Sequence, residues 1–356
     1  MKLLKFVTPF AIAAALVIGP VPATAALPDL WGFAYLDNAT PPPNWVMDTA
    51  RQAGTFQTVC PGRRATATRN AAGSYWVRFP CTGTLRGVAH VTAVDATGGF
   101  CEASEWGLDN GDEVVEVFCF DAAGAPADRR FTVMFSTSSQ PAPGRAYGYL
   151  LAEATGGLLT SYNSLAGVNS SVKLSTGFYR VTLPRLAPGS LAGSLQVTAV
   201  DIGAAPRRCK VSDWTYRVSD YTVYVSCYDA AGNKVDSRFT LSFHHKSTVY
   251  GGQSPPARYA YLLAPNIAYA GTDANSAGGV NSVTALGTGA WEVTFPAVGA
   301  SLTHLQVTAF GGSAVYCQLT SVWLVSAAND LTAPVGCFRP GGAPAGSHFF
   351  STTASI

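Results

Sequence analysis

Six carboxylates crowd one short stretch of the chain: Glu102, Glu105, Asp109, Asp112, Glu113 and Glu116. Two carboxylates at a suitable separation suffice for glycoside hydrolysis, so this is the first place to look for chemistry. The equivalent stretch 108 positions later carries Lys210, Asp213, Arg217 and Asp220 instead. A site grafted onto one copy of a repeated scaffold would look like that, and so would a solvated hairpin tip, which is the simpler reading. The DNGDE segment lacks the ligand spacing of a calcium loop.

The five histidines, His90, His244, His245, His304 and His348, form no repeated set. Gln196 and Gln306 stand at the positions equivalent to His90, and His348 replaces Arg130 and Arg238. His244 and His245 are neighbours on a predicted strand, point to opposite faces and so cannot serve one metal. They read as surface or substituted core residues. There is no G-x-S-x-G elbow, no H-E-x-x-H pair and no phosphate-binding glycine loop leading into a helix. No catalytic, cofactor-binding or metal-binding residue is therefore expected, and the expected activity is not enzymatic.

The eight cysteines are dispersed, without a CxxC. Cys101 with Cys119, Cys209 with Cys227 and Cys317 with Cys337 recur at separations of 18, 18 and 20, each pair flanking a turn. That places both partners on adjacent antiparallel strands, within reach of a disulfide. Cys60 and Cys81 flank the predicted turn at 70–73 and are expected to pair in the same manner. Trp106, Trp214 and Trp323 follow the first cysteine of each pair. Exposed, they would stack on sugar rings; beside a repeated disulfide they read as core packing.

The elements that position these residues are repeats. CFDAAGAPADRRFTVMF (119–135) returns as CYDAAGNKVDSRFTLSF (227–243) and, altered, as CFRPGGAPAGSHFFSTT (337–353). WGFAYL, AYGYLL and RYAYLL open the three copies, and VTAVD, VTAVD and VTAFG mark their middles. Such repetition fixes which residues merely belong to the unit. Within the motif, Asp121 and Asp229 should cap backbone amides and Gly124 and Gly232 should take positive φ. Asp128 with Arg130, and Asp236 with Arg238, share a strand face and should pair.

Each copy also carries two strands of aromatic-x-apolar type, centred on Val77, Val133, Val181, Leu241, Val293 and Ser351. That gives six half-units of about 55 residues, each with room for four short strands. Runs such as YWVRF, YTVYVSCY and WEVTF, bounded by Gly, Pro, Asn and Asp, make the chain all-β. In EVVEVFCF both faces carry apolar residues, which indicates burial on both faces. The expected fold is a β-propeller of about six four-stranded blades with pseudo-threefold symmetry; a seven-bladed propeller or three tandem β-sandwiches are the alternatives. The domain would span residues 26–356, built of repeats 31–145, 146–257 and 258–356. The Pro-rich segments 138–144 and 251–257 are its joints.

Lys2 and Lys5, the uncharged run from Phe6 to Gly19 and Ala23-Thr24-Ala25 compose a secretory signal peptide over residues 1–25. Its removal would leave 21 basic and 21 acidic residues. A neutral chain without basic clusters beyond Arg63-Arg64 and Arg207-Arg208 is not expected to bind nucleic acid. The run from Phe6 to Gly19 is too short to span a bilayer comfortably, and no second long apolar run follows it. The expectation is an extracellular monomer outside the membrane.

The combination YAYLL, VNSVT, GAWEVTFP, LQVTA and C[FY]DAAG across residues 31–356 resembles exported actinobacterial repeat proteins, and is similar to the family of the dispase autolysis-inducing protein. That resemblance implies an extracellular seven-bladed propeller acting on a secreted metalloprotease and cross-linked by transglutaminase. Its motifs are scaffold motifs, so no functional residue is carried over. The expected function is a secreted, non-catalytic scaffold binding another extracellular protein, a protease, transglutaminase or cell-wall component. The alternative is a carbohydrate-binding module using Trp45, Tyr162, Tyr216 and Tyr269.

Overall fold

The computed structural model describes residues 29–137, 144–251, 258–264 and 271–356. The proposed signal segment, most of both Pro-rich joints and Tyr269 lie outside them. The class is all-β. Among the described residues the one helix is the single turn Phe56–Val59.

Each repeat folds as two units of antiparallel strands. The first unit of the first repeat sets Val88–Val94, Arg130–Ser136, Trp31–Leu36 and Gln52–Gly54 side by side. Ser194–Val200, Arg238–His245, Ala146–Ala152 and Leu158–Asn163 repeat it, as do Thr303–Phe310, His348–Ser355, Arg258–Ala264 and Ala274–Asn275. The second unit carries the cysteine hairpin: Phe100–Asp109, Asp112–Phe120, Ser74–Phe79 and Thr66–Ala71 in the first repeat. Arg207–Arg217, Asp220–Asp229, Phe178–Leu183 and Ser170–Ser175 form it in the second repeat. In the third it is Tyr316–Leu319, Leu331–Phe338, Ala290–Phe295 and Ser282–Gly287.

The six units are not six separate sheets. At the end of each Val-Thr-Ala strand one parallel bridge joins the second unit of another repeat: Val200 with Ala103, Phe310 with Val211 and Val94 with Leu319. The result is three open sheets of nine, nine and eight strands. The sheets stay open, while the succession of repeats closes on itself with pseudo-threefold order.

The three largest apolar cores follow the repeats rather than the sheets, each with a few residues of a neighbour, while a smaller cluster draws Trp31, Tyr147 and Ala354 from all three. In the first, Ala89, Val91, Phe131 and Val133 of the first unit meet Tyr75, Val77, Val115 and Val117 of the second. The other two repeats each hold an equivalent core. Burial on both faces belongs to the Val-Thr-Ala strands, whose residues 88–94 and 194–200 are all buried. The strand EVVEVFCF, from which it was inferred, buries Val115, Val117 and Cys119 and leaves Val114, Glu116 and Phe118 partly exposed.

The Val-Thr-Ala motif closes the ring of repeats. The amide of Val91 donates to Thr198 Oγ1 (3.3 Å), that of Val197 to Thr308 Oγ1 (3.1 Å) and that of Val307 to Thr92 Oγ1 (3.1 Å). Each threonine hydroxyl then gives its proton onward, Thr92 to Gln306 Oε1 and Thr308 to Gln196 Oε1 (2.9 Å). At the third place Thr198 Oγ1 lies 3.1 Å from His90 Nδ1, and His90 Nε2 lies 2.9 Å from Ser242 Oγ. On the pattern of the other two repeats, where the threonine donates to a glutamine oxygen, the Thr198 proton is assigned to Nδ1 and the ring proton to Nε2. His90 therefore accepts where glutamine does in the other two repeats.

The repeated cysteine motif also has a mechanical role. Asp121 Oδ1 caps the amides of Ala123 and Ala125 at 2.9 Å, and Gly124 and Gly232 have φ of 92° and 89°. Asp128 pairs with Arg69 (2.8 Å), not with Arg130, and takes the Gly73 amide (2.9 Å) and the Tyr75 hydroxyl (3.2 Å). Asp236 likewise binds Lys173 and the Gly177 amide, while Arg238 pairs with Glu153 at 2.8 Å. The expected i, i+2 pairs are thus replaced by clamps across the repeat. Gly73, Gly177 and Gly289 must be glycine because a Cβ there would meet a cysteine carbonyl oxygen at 2.2–2.6 Å.

Candidate functional site

Three strands begin next to the pseudo-threefold axis, each carrying the first cysteine of a pair. Cys101, Cys209 and Cys317 turn toward the apolar cores, so by strand alternation the residues on either side of each cysteine turn away. Before the cysteine stand Phe100, Arg208 and Tyr316; after it stand Glu102, Lys210 and Gln318. The second triplet ties the three joints between repeats with three different groups. Glu102 Oε2 accepts the Arg207 amide (2.9 Å), Lys210 Nζ donates to Val315 O (2.7 Å) and Gln318 Nε2 donates to Asp95 O (2.7 Å).

Between these strands lies a cavity of about 60 Å3, lined by the Val-Thr-Ala segments of all three repeats together with Phe100, Arg208, Lys210, Tyr228 and Tyr316. Arg208 is 8% exposed and Lys210 is 3% exposed. The Arg208 guanidinium lies over the rings of Tyr316 (4.1 Å) and Phe100 (4.9 Å), and its Nη2 donates to Asp229 O (2.7 Å) and Ala230 O (2.9 Å). Burial lowers the pKa of Arg208 and pushes that of Lys210 down to about 7, with Arg208 and Lys234 adding repulsion at Lys210. The site is cationic, partly aromatic and partly open.

Asp109 and Asp112 stand directly opposite each other at the tip of the acidic hairpin, and Arg78 binds both (2.6 and 3.3 Å), so the pair is an ion-pair cluster. Glu102 and Asp109 sit at opposite ends of one strand, roughly 20 Å apart at the usual strand rise. The solvated-tip reading holds for exposed Glu105 and for Asp109, which holds Arg78 at 2.6 Å. It fails for Glu102 and Glu113, both fully buried. Burial raises the pKa of each, that of Glu113 to about 9, against the opposing effect of one backbone N–H bond. Asp112 accepts the Cys81 amide (2.8 Å), and Glu116 accepts Trp76 Nε1 (3.3 Å).

His90, His244 and His304 are buried at the axis and not at the surface, whereas His348 is exposed. Burial holds His90 and His244 at pKa values of about 3 and lowers His304 well below the ordinary range. All three are neutral core residues. Among the described residues no group of three or more His, Cys, Asp or Glu is placed to hold a metal ion.

All eight cysteines pair with the expected partners, three pairs at the repeated positions and Cys60 with Cys81. Three bridges join directly opposed residues of a hairpin. Cys60–Cys81 differs from expectation in geometry: Cys60 ends the helical turn and Cys81 follows a strand, so neither lies in the ladder. Four bridges fit an oxidising compartment, and among the described residues no helix is long and apolar enough to cross a membrane.

Trp214 and Trp323 are core residues and Trp106 packs half-buried against its core. Of the aromatics expected to bind sugar, Trp45 is half-buried with Nε1 on Asp37 (3.1 Å), and Tyr162 packs against Tyr147 and Tyr149. Tyr216 is exposed on its own strand. These three are not brought together. The residues that sequence reasoning missed are Arg208 and Lys210. Their signal was present: two cations spaced i, i+2 around a disulfide cysteine must share the opposite face of that strand.

No protein-family model matches the chain, and no curated protein matches it.

Proposed function

We propose that this chain is an exported, non-catalytic scaffold that acts by binding another extracellular protein. The observation that carries the reading is the placement of exposed apolar residues near the tips of the three equivalent cysteine hairpins. Leu108 is 50% exposed, Val218 83% and Leu324 65%. Single exposed apolar residues are ordinary, whereas one at the same hairpin of every repeat is a pattern a partner surface can use. The bridges, the signal-like first segment and the resemblance to exported repeat proteins acting on a secreted protease support the same reading. In architecture we infer three two-layer sandwiches about a pseudo-threefold axis rather than six radial blades, because the three largest apolar cores are each built mainly of one repeat.

The test is capture from culture fluid of the producing cells, with wild type and with the triple variant Leu108→Asp, Val218→Asp, Leu324→Asp. A protein retained by the wild type and lost by the variant, at unchanged melting temperature, is expected. Equal capture by both, or none by either, rejects the reading. A carbohydrate role would be favoured instead by glycan binding lost on Trp76→Ala or Tyr216→Ala, since both side chains are well exposed.

A further inference from the structure

Arg208 and Lys210 are buried cations two residues apart on one strand, and both line the axial cavity. Nine ion pairs within 4.0 Å occur among the described residues, and neither cation belongs to any of them. A buried charge without a counter-charge is costly, and proteins satisfy it with a partner or a bound ion. Arg208 is only partly satisfied: Nη2 is engaged by two carbonyls, while Nε and Nη1 have no hydrogen-bond partner.

Nearby acids are committed elsewhere. Asp229 accepts the Asn233 amide (2.8 Å), Asp201 faces Arg207 (3.7 Å), and Glu102, which burial keeps toward its neutral form, bonds the Arg207 amide. The other repeats place Phe100 and Tyr316 where Arg208 stands, and Glu102 and Gln318 where Lys210 stands. The cationic character of the cavity therefore comes from the second repeat alone.

The geometry points to an anion site on the repeat axis: the cavity takes one small oxyanion, of carboxylate, sulfate or phosphate size, held by the free N–H groups of Arg208 and the ammonium of Lys210. A cavity of about 60 Å3 admits a few non-hydrogen atoms. Charge-assisted hydrogen bonds supply the attraction. Because all three repeats line the cavity, the anion also bridges them.

The test measures melting temperature and calorimetric binding for the full chain in sodium acetate, sulfate, phosphate and chloride at one ionic strength. At least one oxyanion should raise the melting temperature above chloride and bind with a stoichiometry of one. Arg208→Met should abolish the increment, and Lys210→Gln should weaken binding about tenfold or more. A shift with acetate alone assigns a carboxylate, and one with sulfate or phosphate assigns an inorganic-type oxyanion. Identical melting in all four salts, or an increment retained by Arg208→Met, overturns the site. Should Arg208→Met fail to fold, Lys210→Gln decides, since Gln318 occupies the equivalent position of a folded repeat.

Discussion

The substitution His90→Gln tests both the axial ring and the reason a histidine can stand in it. Gln196 and Gln306 already accept threonine protons at the equivalent places, so the introduced glutamine should accept from Thr198. At pH 8 the variant should therefore keep wild-type stability within about 1 kcal/mol. Acid should separate them. His90 has a folded pKa of about 3 against an ordinary 6.5, so between those values the unfolded chain binds a proton that the folded chain does not. Stability is fully present above about pH 6.5 and falls as pH drops through that window. For one such histidine the loss between pH 8 and pH 5 is about 2 kcal/mol. His244 and His304 are lowered in the same direction, whereas buried Glu102 and Glu113 act oppositely, and all four are present in both proteins, so the difference of about 2 kcal/mol between wild type and variant is what reports His90. Urea unfolding at half-unit pH steps from 8 to 4.5 measures this. A variant whose stability falls as steeply as the wild type would refute the neutral buried His90, and one much weaker at pH 8 would refute the ring.

Other substitutions probe other parts. Glu113 titrates with a folded pKa raised to about 9, so it destabilises increasingly as pH rises from about 4.5 toward 9. Glu113→Gln should thus gain about 3 kcal/mol at pH 7 and nothing at pH 4, read by denaturant titration. Asp128→Ala removes the partner of Arg69, the Gly73 amide and the Tyr75 hydroxyl and should cost about 1–3 kcal/mol. Gly346→Asp in the third repeat should restore no stability, because Ala285 and Trp291 stand where the clamp has Arg69 and Tyr75. Thr308→Val leaves the Val197 amide unpaired at the axis and should lower the unfolding free energy by about 1–3 kcal/mol. The double change Cys209→Ala, Cys227→Ala opens an 18-residue loop and should cost about 3 kcal/mol by calorimetry.

Much of the scaffold is legible in the chain. Strand periodicity, the cysteine spacing and the three-times-repeated motif mark the strands, three disulfides and the equivalence of the repeats, because these depend on residues close in sequence. The coordinated loss in the third repeat is legible only afterwards. Gly346, Ala285 and Trp291 look unrelated until the fold shows that Asp128, Arg69 and Tyr75 form one clamp. His90 reads as a surface or substituted core residue for a similar reason. Its partners Thr198 and Ser242 lie 108 and 152 residues away, on another repeat.

The sequence by itself determined the all-β class, the threefold repetition and the cysteine pairs, since local alternation, turn chemistry and loop length act within about twenty residues of chain. Only the tertiary structure decided how six strand units join into three sheets, and which polar residues face the axis. Those depend on contacts between repeats: the parallel bridges at Val94, Val200 and Phe310, and the threonine ring beside them. The same contacts bring Arg208 and Lys210 under the residues of two other repeats. Burial there turns a short basic pair into the lining of a cationic cavity.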